Sequence, residues 1–137
     1  MTGCIFCAIA SGSAPAEFVH RDERVMAFMD IRPATPGHVL VVPARHSRDL
    51  SDLPTEDAEA VMRSAVDVAR RAVTTLRAAG VNLIVASGAA AWQTVGHFHL
   101  HVVPRYEGDG LTPPWSPDQP SADPSDLADV ARRMREA

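Results

Sequence analysis

Histidine alternates with apolar residues along His97-Phe98-His99-Leu100-His101-Val102-Val103, and this alternation constrains the fold more than any other feature of the sequence. Successive side chains of a β-strand point to opposite faces, so a period of two predicts a strand. The three imidazoles would share one face, about 6.6–7 Å from one to the next, while Phe98, Leu100 and Val102 would face a core. The alternative is a polar strand face that is rich in histidine by coincidence. Three alternating histidines among the six in the chain favour a functional explanation.

The rest of the sequence predicts an α+β fold in which one long helix covers an antiparallel sheet. The predicted elements are a helix over 4–10, hairpin strands near 18–20 and 25–29, a strand over 38–43, a helix that Thr55 caps and Gly80 ends, strands over 81–87 and 97–104, and an amphipathic helix from 125 to about 136. The long helix carries one apolar stripe at helical spacing. Its members are Ala58, Val61, Met62, Ala65, Val66, Ala69, Val73 and Leu76.

Length and composition predict a single globular domain and exclude several kinds of chemistry. All 13 basic residues are arginine, so P-loop, Schiff-base and lysine general-base mechanisms are excluded. The net charge of −4 disfavours nucleic acid as a partner. No apolar run approaches the roughly 20 residues that cross a bilayer, and the first residues do not resemble a signal peptide. We therefore expect a cytoplasmic protein with no nucleic-acid and no membrane partner.

Cys4 and Cys7 form a C-x-x-C pair, which suits either a redox dithiol or half of a metal site. A structural disulfide is not expected in a chain without a secretion signal. A redox pair would need a preceding strand to present it, and only three residues precede Cys4. The position of the pair therefore favours a metal site over a redox function.

With these residues the chain resembles the histidine triad (HIT) family, whose signature is the alternation of histidine and apolar residues described above. The further segments that agree with the family, in its usual order, are Cys4-Ile5-Phe6-Cys7, Phe28-Met29-Asp30-Ile31-Arg32-Pro33, Gly37-His38-Val39-Leu40-Val41-Val42-Pro43, Arg45-His46 and Gln93-Thr94-Val95. The resemblance covers residues 3 to about 106. It divides the chain into a HIT domain, 1–107, and a variable Pro/Gly-rich tail with a C-terminal helix, 108–137.

The resemblance implies a nucleotide hydrolase or nucleotidyl transferase that cleaves at the α-phosphate of a purine nucleotide, either a nucleoside phosphoramidate or a dinucleoside polyphosphate. It implies that His99 is the nucleophile that forms a nucleotidyl-histidine, and that His101 donates a hydrogen bond to the phosphate. An imidazole suits this role because its reference pKa of about 6.5 leaves much of it neutral at pH 7. Thr94 and the backbone N–H groups of 92–94 would complete the anion site. Gln93, Thr94 and His38 are the candidates for protonating the leaving group.

The resemblance also implies a nucleoside site. Asp30 would bind the ribose hydroxyls. Five apolar residues, Ile5, Phe6, Ile9, Phe28 and Ile31, would contact the base. Considered without the resemblance, Asp30 is equally a residue that caps a turn, and the apolar set is equally core.

The resemblance to the bacterial-type branch of the family implies a zinc site. Its zinc-bearing members use a cysteine pair, a histidine after a Pro-x-x step and the first histidine of the triad. The corresponding residues are Cys4, Cys7, His46 and His97. Two thiolates and two imidazoles form a closed tetrahedral set, so the expected zinc is structural. The alternative for His46 is an exposed loop histidine.

Three positions depart from the family's pattern. This chain has Ala86 where many members have an asparagine, Trp92 where they have a glycine, and Gly96 where they have a larger residue. They bear on substrate choice and rate, so the alternative function is a catalytically weak nucleotide-binding or scaffold protein. A zinc-dependent nucleic-acid module is disfavoured because a second cysteine pair is missing. The family further implies a homodimer, paired through the long helix and the strand near 80–85, and a tail that shapes the rim of the active site through Trp115.

Overall fold

A computed structural model describes residues 3–114 and 117–137. Five strands form one sheet in the order β1-β2-β3-β5-β4, and every neighbouring pair is antiparallel. The elements are α1 (Ile5–Ser11), β1 (Phe18–Arg21), β2 (Val25–Met29), β3 (Val39–Pro43), α2 (Thr55–Leu76), β4 (Gly80–Val85), a short 3₁₀ helix (Ala89–Ala91), β5 (Leu100–Arg105) and α3 (Pro124–Arg135). The predicted α+β class, with an antiparallel sheet and one long helix on it, is confirmed.

The two faces of the sheet are covered by different helices. Residues under α2 form one core. It is composed of Val25, Ala27, Val39, Val41, Leu100 and Val102 from the sheet, Phe98 from the segment just before β5, and Val61, Ala65 and Val68 from the helix. Residues on the opposite face form a second core, composed of Met26, Phe28, Leu40 and Val42 from the sheet with Phe6 and Ile9 from α1. Strands that are buried on both faces need continuous apolar sequence, which explains why β2 and β3 do not alternate.

The buried face of α2 differs from the predicted stripe. Thr55 is the first helical residue, and Pro54 occupies the N-cap position that Thr55 was predicted to fill. Val61 and Ala65 are buried, but half of the side-chain surface of Met62 is exposed. Other buried positions were not predicted: Ala60, Val68 and Ala72. Small side chains let a helix approach a sheet closely, whereas the larger Val73 and Leu76 remain exposed on another face.

The last strand begins at Leu100, three residues later than the sequence predicted. The backbone N–H of Phe98 donates to the carbonyl of Ser47, 2.7 Å away, so the segment before β5 follows the loop after β3. The alternation continues through this segment. Phe98 enters the core under α2, whereas His97 and His99 are buried against Phe6 on the other face.

The C-terminal part packs little against the domain. Every residue of α3 is exposed, and Trp115, predicted to contribute to the active-site rim, lies outside the described residues. Among the helices of 3–114 and 117–137, none combines the length and the apolar character that a membrane span requires.

Candidate functional site

Two cysteines and two histidines converge where α1 meets the loop after β3. The backbone N–H of Cys7 donates to Sγ of Cys4, 3.3 Å away, which turns both thiols to the same end of α1. His97 Nδ1 lies 3.3 Å from Cys4 Sγ and 3.5 Å from Cys7 Sγ. His46 Nδ1 lies 3.4 Å from Cys7 Sγ and 3.2 Å from His97 Nδ1. All four donor atoms lie within 4.8 Å of one another.

These distances resemble those between the ligands of a tetrahedral zinc. Zn–N bonds of about 2.0–2.1 Å and Zn–S bonds of about 2.3 Å separate two nitrogens by about 3.3 Å and a nitrogen from a sulfur by about 3.6 Å. His97 also has the required tautomer, because its Nε2–H donates to the carbonyl of Pro43 at 2.9 Å and leaves Nδ1 unprotonated. Burial lowers the pKa of His97 and keeps the ring neutral, as a metal ligand must be. The donor set fits zinc.

A buried carboxylate ties the segment that carries His46 to α2. Asp57, only 1% exposed, accepts from Nε of Arg45 at 2.6 Å and from Nη1 of Arg24 at 3.4 Å. Because Asp57 lies in the first turn of α2, this ion pair connects the start of the helix to the residue beside His46. This ion pair leaves no signal in the sequence, because an acidic residue is ordinary in a first helical turn and no motif links Asp57 to either arginine.

A single hydrogen bond determines which ring nitrogen of His99 is free. Nδ1 of His99 lies 2.8 Å from the carbonyl oxygen of His97. A carbonyl only accepts, so Nδ1 carries the proton and Nε2 keeps its lone pair. The His99 ring is 5% exposed and meets the ring of Phe6 edge-on, with centroids 5.2 Å apart. His99 therefore presents a nucleophilic nitrogen in a largely dry environment.

A chain of hydrogen bonds determines the tautomer of His101. The backbone N–H of Ala34 donates to Nδ1 of His38 at 3.0 Å, so the His38 proton is on Nε2. Nε2 of His38 then donates to Nδ1 of His101 at 2.9 Å, which leaves the His101 proton on its own Nε2. The rings of His99 and His101 are 5.0 Å apart. The ring that carries this N–H donor is thus the neighbour of the ring that carries the His99 lone pair.

The rings of His38 and His101 are both neutral at pH 7. Burial, helped by His99 and His38, lowers the pKa of His101 to about 4. Burial also lowers the pKa of His38, against the opposing charge of Asp30. A charged His38 would carry a proton on Nδ1, facing the N–H of Ala34, so the neutral state and the hydrogen-bond pattern require each other.

Asp30, His38 and His101 form a second group whose donor atoms lie within 4.8 Å of one another. A metal here would have to replace the proton on Nε2 of His38. The only other ring position for that proton faces the N–H of Ala34, which needs an acceptor. The hydrogen bonding of this group therefore suits proton donation and not metal binding.

Asp30 makes the turn contact that its position before Pro33 allowed. Its Oδ1 accepts from the N–H of Arg32 at 2.8 Å. Its Oδ2 is 3.5 Å from Nε2 of His38, a long contact that leaves this oxygen able to accept from another donor. Asp30 is thus a turn residue that also faces the histidines.

The five residues predicted to contact the base divide into two groups. Phe6, Ile9 and Phe28 are buried in the core under α1, and the rings of Phe6 and Phe28 meet edge-on at 5.5 Å. Ile5 is 50% exposed, and Ile31 is 90% exposed on the loop after β2. The structure brings Phe6 to His99 and leaves Ile31 projecting into solvent.

Gln93 braces the loop that connects β4 to β5, residues 86–99. Its Oε1 accepts from the N–H of Gly88 at 2.8 Å. Both amide hydrogens are also used, because Nε2 donates to the carbonyls of Arg48 at 2.7 Å and Val95 at 2.9 Å. The amide is therefore engaged within the protein, whereas the hydroxyl of Thr94 has no hydrogen-bond partner in the part of the chain that the structure describes.

Comparisons with known proteins show which family the chain resembles. Residues 11–108 match the model of the HIT domain family. An uncharacterized HIT-like protein of Mycobacterium tuberculosis is 44% identical over 109 residues, which are 80% of this chain and 76% of that protein. The crystal structure of a Zn-bound histidine triad family protein from Mycobacterium smegmatis has 46% identity and a TM-score of 0.78, with 85% of this chain and 84% of that chain covered. An adenylylsulfatase of Arabidopsis thaliana is 32% identical over 108 residues, which are 79% of this chain and 55% of that protein.

Proposed function

Because the chain belongs to the HIT domain family, we propose that it is a nucleotide hydrolase or nucleotidyl transferase that acts at the α-phosphate of a purine nucleotide. The observation that carries this proposal is the pairing of two neighbouring imidazoles with opposite tautomers, His99 buried and His101 half-buried. His99 offers a lone pair on Nε2, and His101 offers a proton on Nε2. A nucleophile beside an anion-binding donor is what attack on a phosphate requires. The adenylylsulfatase relative from Arabidopsis, an enzyme named for an adenylyl substrate, supports the same class.

The reaction proceeds in two displacements. Nε2 of His99 forms a bond to the α-phosphorus, and the bond from phosphorus to the leaving oxygen or nitrogen breaks. The electron pair departs with the leaving group, which takes a proton from water while the free hydroxyl of Thr94 donates a hydrogen bond to it. Nε2–H of His101 donates to a non-bridging oxygen. The hydroxyl of water, or of another acceptor in a transferase, then displaces His99 from phosphorus. The electron pair of the broken P–N bond returns to Nε2, and the proton of the attacking hydroxyl goes to the hydroxide left by the first step.

The nucleoside half of the substrate binds on the α1 side of the histidines. Asp30 accepts from the ribose hydroxyls through Oδ2, which makes a long contact of 3.5 Å to Nε2 of His38. The base lies against exposed Ile31 and Ile5 and against the rim of the Phe6–Phe28 ring pair. Burial of the base removes from water the apolar surface that Ile31 exposes.

A trapping experiment tests the nucleophile. Wild-type protein is mixed with adenosine and guanosine phosphoramidates or dinucleotides, quenched without acid, and examined by mass spectrometry for a nucleotidyl adduct. We expect the adduct on His99, and we expect His99→Ala to lose several orders of magnitude in turnover while it still binds nucleotide. His20→Ala is the matched control, because His20 is half-exposed and paired with Asp22 away from the site.

Two results would contradict this assignment. An adduct on His97 or His101, or full activity of His99→Ala, would show that His99 is not the nucleophile. Nucleotide binding without release of any nucleoside monophosphate, across the whole substrate panel, would favour the scaffold alternative. Repeating the assay with and without inorganic phosphate separates a hydrolase from a phosphorylase.

We also propose that Cys4, Cys7, His46 and His97 hold one structural zinc, as the donor distances and the Zn-bound relative support. A closed set of four protein ligands leaves no position for substrate, so the ion supplies rigidity. It affects catalysis through His97, whose backbone carbonyl accepts the hydrogen bond that Nδ1–H of His99 donates. The metal set thereby positions the group that determines the tautomer of the nucleophile.

Elemental analysis of protein purified without added metal tests the zinc proposal. We expect nearly one zinc per chain in the wild type and in His20→Asn, and a large loss in Cys7→Ser. Both thiols free and no zinc in gently purified wild type would remove the site.

A homodimer is the third part of the proposal. β4 is an edge strand that exposes Leu83 and Ile84, and α2 exposes Val73 and Leu76. An uncovered apolar edge of this kind is favourable to strand pairing across a two-fold axis. Light scattering should give twice the chain mass of 14.7 kDa, and Ile84→Asp should reduce it. A wild type of monomer mass at micromolar concentration would contradict the dimer.

A further inference from the structure

Trp92 adopts a backbone conformation that bulky residues avoid. Its φ is +69°, in the left-handed region, where an aromatic side chain is an outlier. Most described positions with positive φ hold glycine, including Gly88 in the same loop. Both exceptions end a helix, a position where left-handed residues are common and glycine is usual: Arg77 ends α2, and Trp92 ends the 3₁₀ helix Ala89–Ala91. A glycine would fit the backbone of Trp92 better.

The fold gains little from the Trp92 side chain. The residue is 73% exposed. Within 3–114 and 117–137, its indole N–H has no hydrogen-bond partner and its ring meets no other aromatic ring. Neither the backbone nor the packing accounts for a tryptophan, and an unfavourable conformation that is retained suggests a functional role.

The loop holds Trp92 firmly at the catalytic end of the sheet. Val85 at the end of β4 pairs with Leu100 at the start of β5, so the loop leaves and re-enters the sheet next to His99. The backbone N–H of Trp92 donates to the carbonyl of Ala89 at 3.0 Å. The neighbouring Gln93 is fastened to three backbone groups, as described above. The indole is therefore carried by a braced loop, which limits the entropy lost when a ligand stacks on it.

We propose that Trp92 is a specificity-determining residue that stacks on an aromatic group in the leaving half of the substrate. This inference rests on the proposed function and names its substrate class, nucleotides whose leaving group carries a base or another planar ring. In the proposed function the nucleoside half lies on the α1 side of the histidines, against Ile5 and Ile31. The exposed ring of Trp92 lies on the loop between β4 and β5, so it contacts what projects from the site beyond the α-phosphorus. Every base has a π-face, so the stacking selects aromatic leaving groups without selecting among bases.

A pair of substrates tests the inference: diadenosine triphosphate, which leaves with a base, and adenosine phosphoramidate, which leaves with ammonia. The measured quantity is the ratio of kcat/KM for the first to that for the second. Trp92→Gly should lower this ratio about 5- to 140-fold, which corresponds to the ~1–3 kcal/mol of one base–aromatic stack. Trp92→Phe should keep most of it. Arg77→Gly is the matched control, since it relieves the same backbone conformation far from the loop and should leave the ratio unchanged.

The outcomes separate this inference from the proposed function. Both substrates turned over, with the same ratio in wild type and Trp92→Gly, would overturn the role of Trp92 alone. If the wild type turns over neither these two nor any other member of the substrate panel, the proposed function fails. The Kd of diadenosine triphosphate then tests the stacking directly, and an equal Kd in wild type and Trp92→Gly would overturn it. Misfolding does not explain a lower ratio if the Tm of Trp92→Gly is unchanged or higher, as glycine at this φ predicts.

Discussion

Acidification should destabilise the protein through His101, and the size of the effect follows from its surroundings. His99, His38 and Asp30 face this ring, and burial with the two histidines lowers its pKa to about 4. In the unfolded chain the pKa of the same ring is about 6.5. The unfolded state therefore binds more protons between these values, so stability is fully present above pH 6.5 and is lost as the pH falls towards 4.

The magnitude is large for a single side chain. A difference between 6.5 and about 4 corresponds to about 3.4 kcal/mol at 1.36 kcal/mol per pKa unit, and about 2 kcal/mol of it is lost at pH 5. The structural event is specific. Protonation converts Nδ1 of His101 into a donor, which then faces the N–H of His38 Nε2 and breaks the 2.9 Å hydrogen bond.

Urea unfolding of zinc-loaded protein at pH 7.5, 6.5, 5.5 and 5.0 measures the effect. His101→Asn keeps an acceptor and removes the titration. Between pH 7.5 and 5 the wild type should lose about 2 kcal/mol more of its free energy of unfolding than the variant. His38 and His97, whose pKa values are also lowered, contribute to both proteins and cancel. His20→Asn, which replaces a histidine away from these rings, is the control variant. Equal slopes in wild type and His101→Asn would refute the reasoning.

Three further predictions concern the supports of the site. Asp57→Asn should lower the free energy of unfolding in urea by about 1.5–3 kcal/mol, because a buried acceptor of charged hydrogen bonds is weakened; a loss no greater than that of the exposed control Glu56→Gln would contradict this. Gln93→Glu places a carboxylate oxygen against the carbonyl oxygens of Arg48 and Val95, which it cannot bind. We therefore expect faster amide hydrogen exchange across residues 88–95 but not in α2. Unchanged exchange would show that the amide does not brace the loop. Ile31→Ala should raise KM with little change in kcat, since it removes contact with the base and not with phosphorus; an unchanged KM would place the base elsewhere.

The sequence by itself determined the class of fold and the family. Alternation at 97–103 is a local property of an extended backbone, and it predicts which side chains face the core, wherever the strand is placed. The apolar runs of β2 and β3 and the long periodic segment before Gly80 are local in the same sense. Together they are sufficient for an antiparallel sheet covered by one helix, and the HIT resemblance rests on residues that are visible in the sequence.

Only the tertiary structure decided how each histidine is protonated. The partners that determine the tautomers are backbone groups of Pro43, His97 and Ala34. Every residue but proline carries both such groups, so the amino-acid types contain no signal for them. They become specific partners only when distant segments are brought together.

The same reason explains the other departures from the sequence analysis. The face that α2 buries depends on which side chains let it approach the sheet, and the pairing of Asp57 with Arg45 depends on a loop that meets the start of α2. Trp92 is identifiable in the sequence as an unusual residue, but its left-handed backbone and its exposed ring belong to the folded loop. Periodicity is encoded locally, whereas contacts between distant segments arise only when the whole chain is packed.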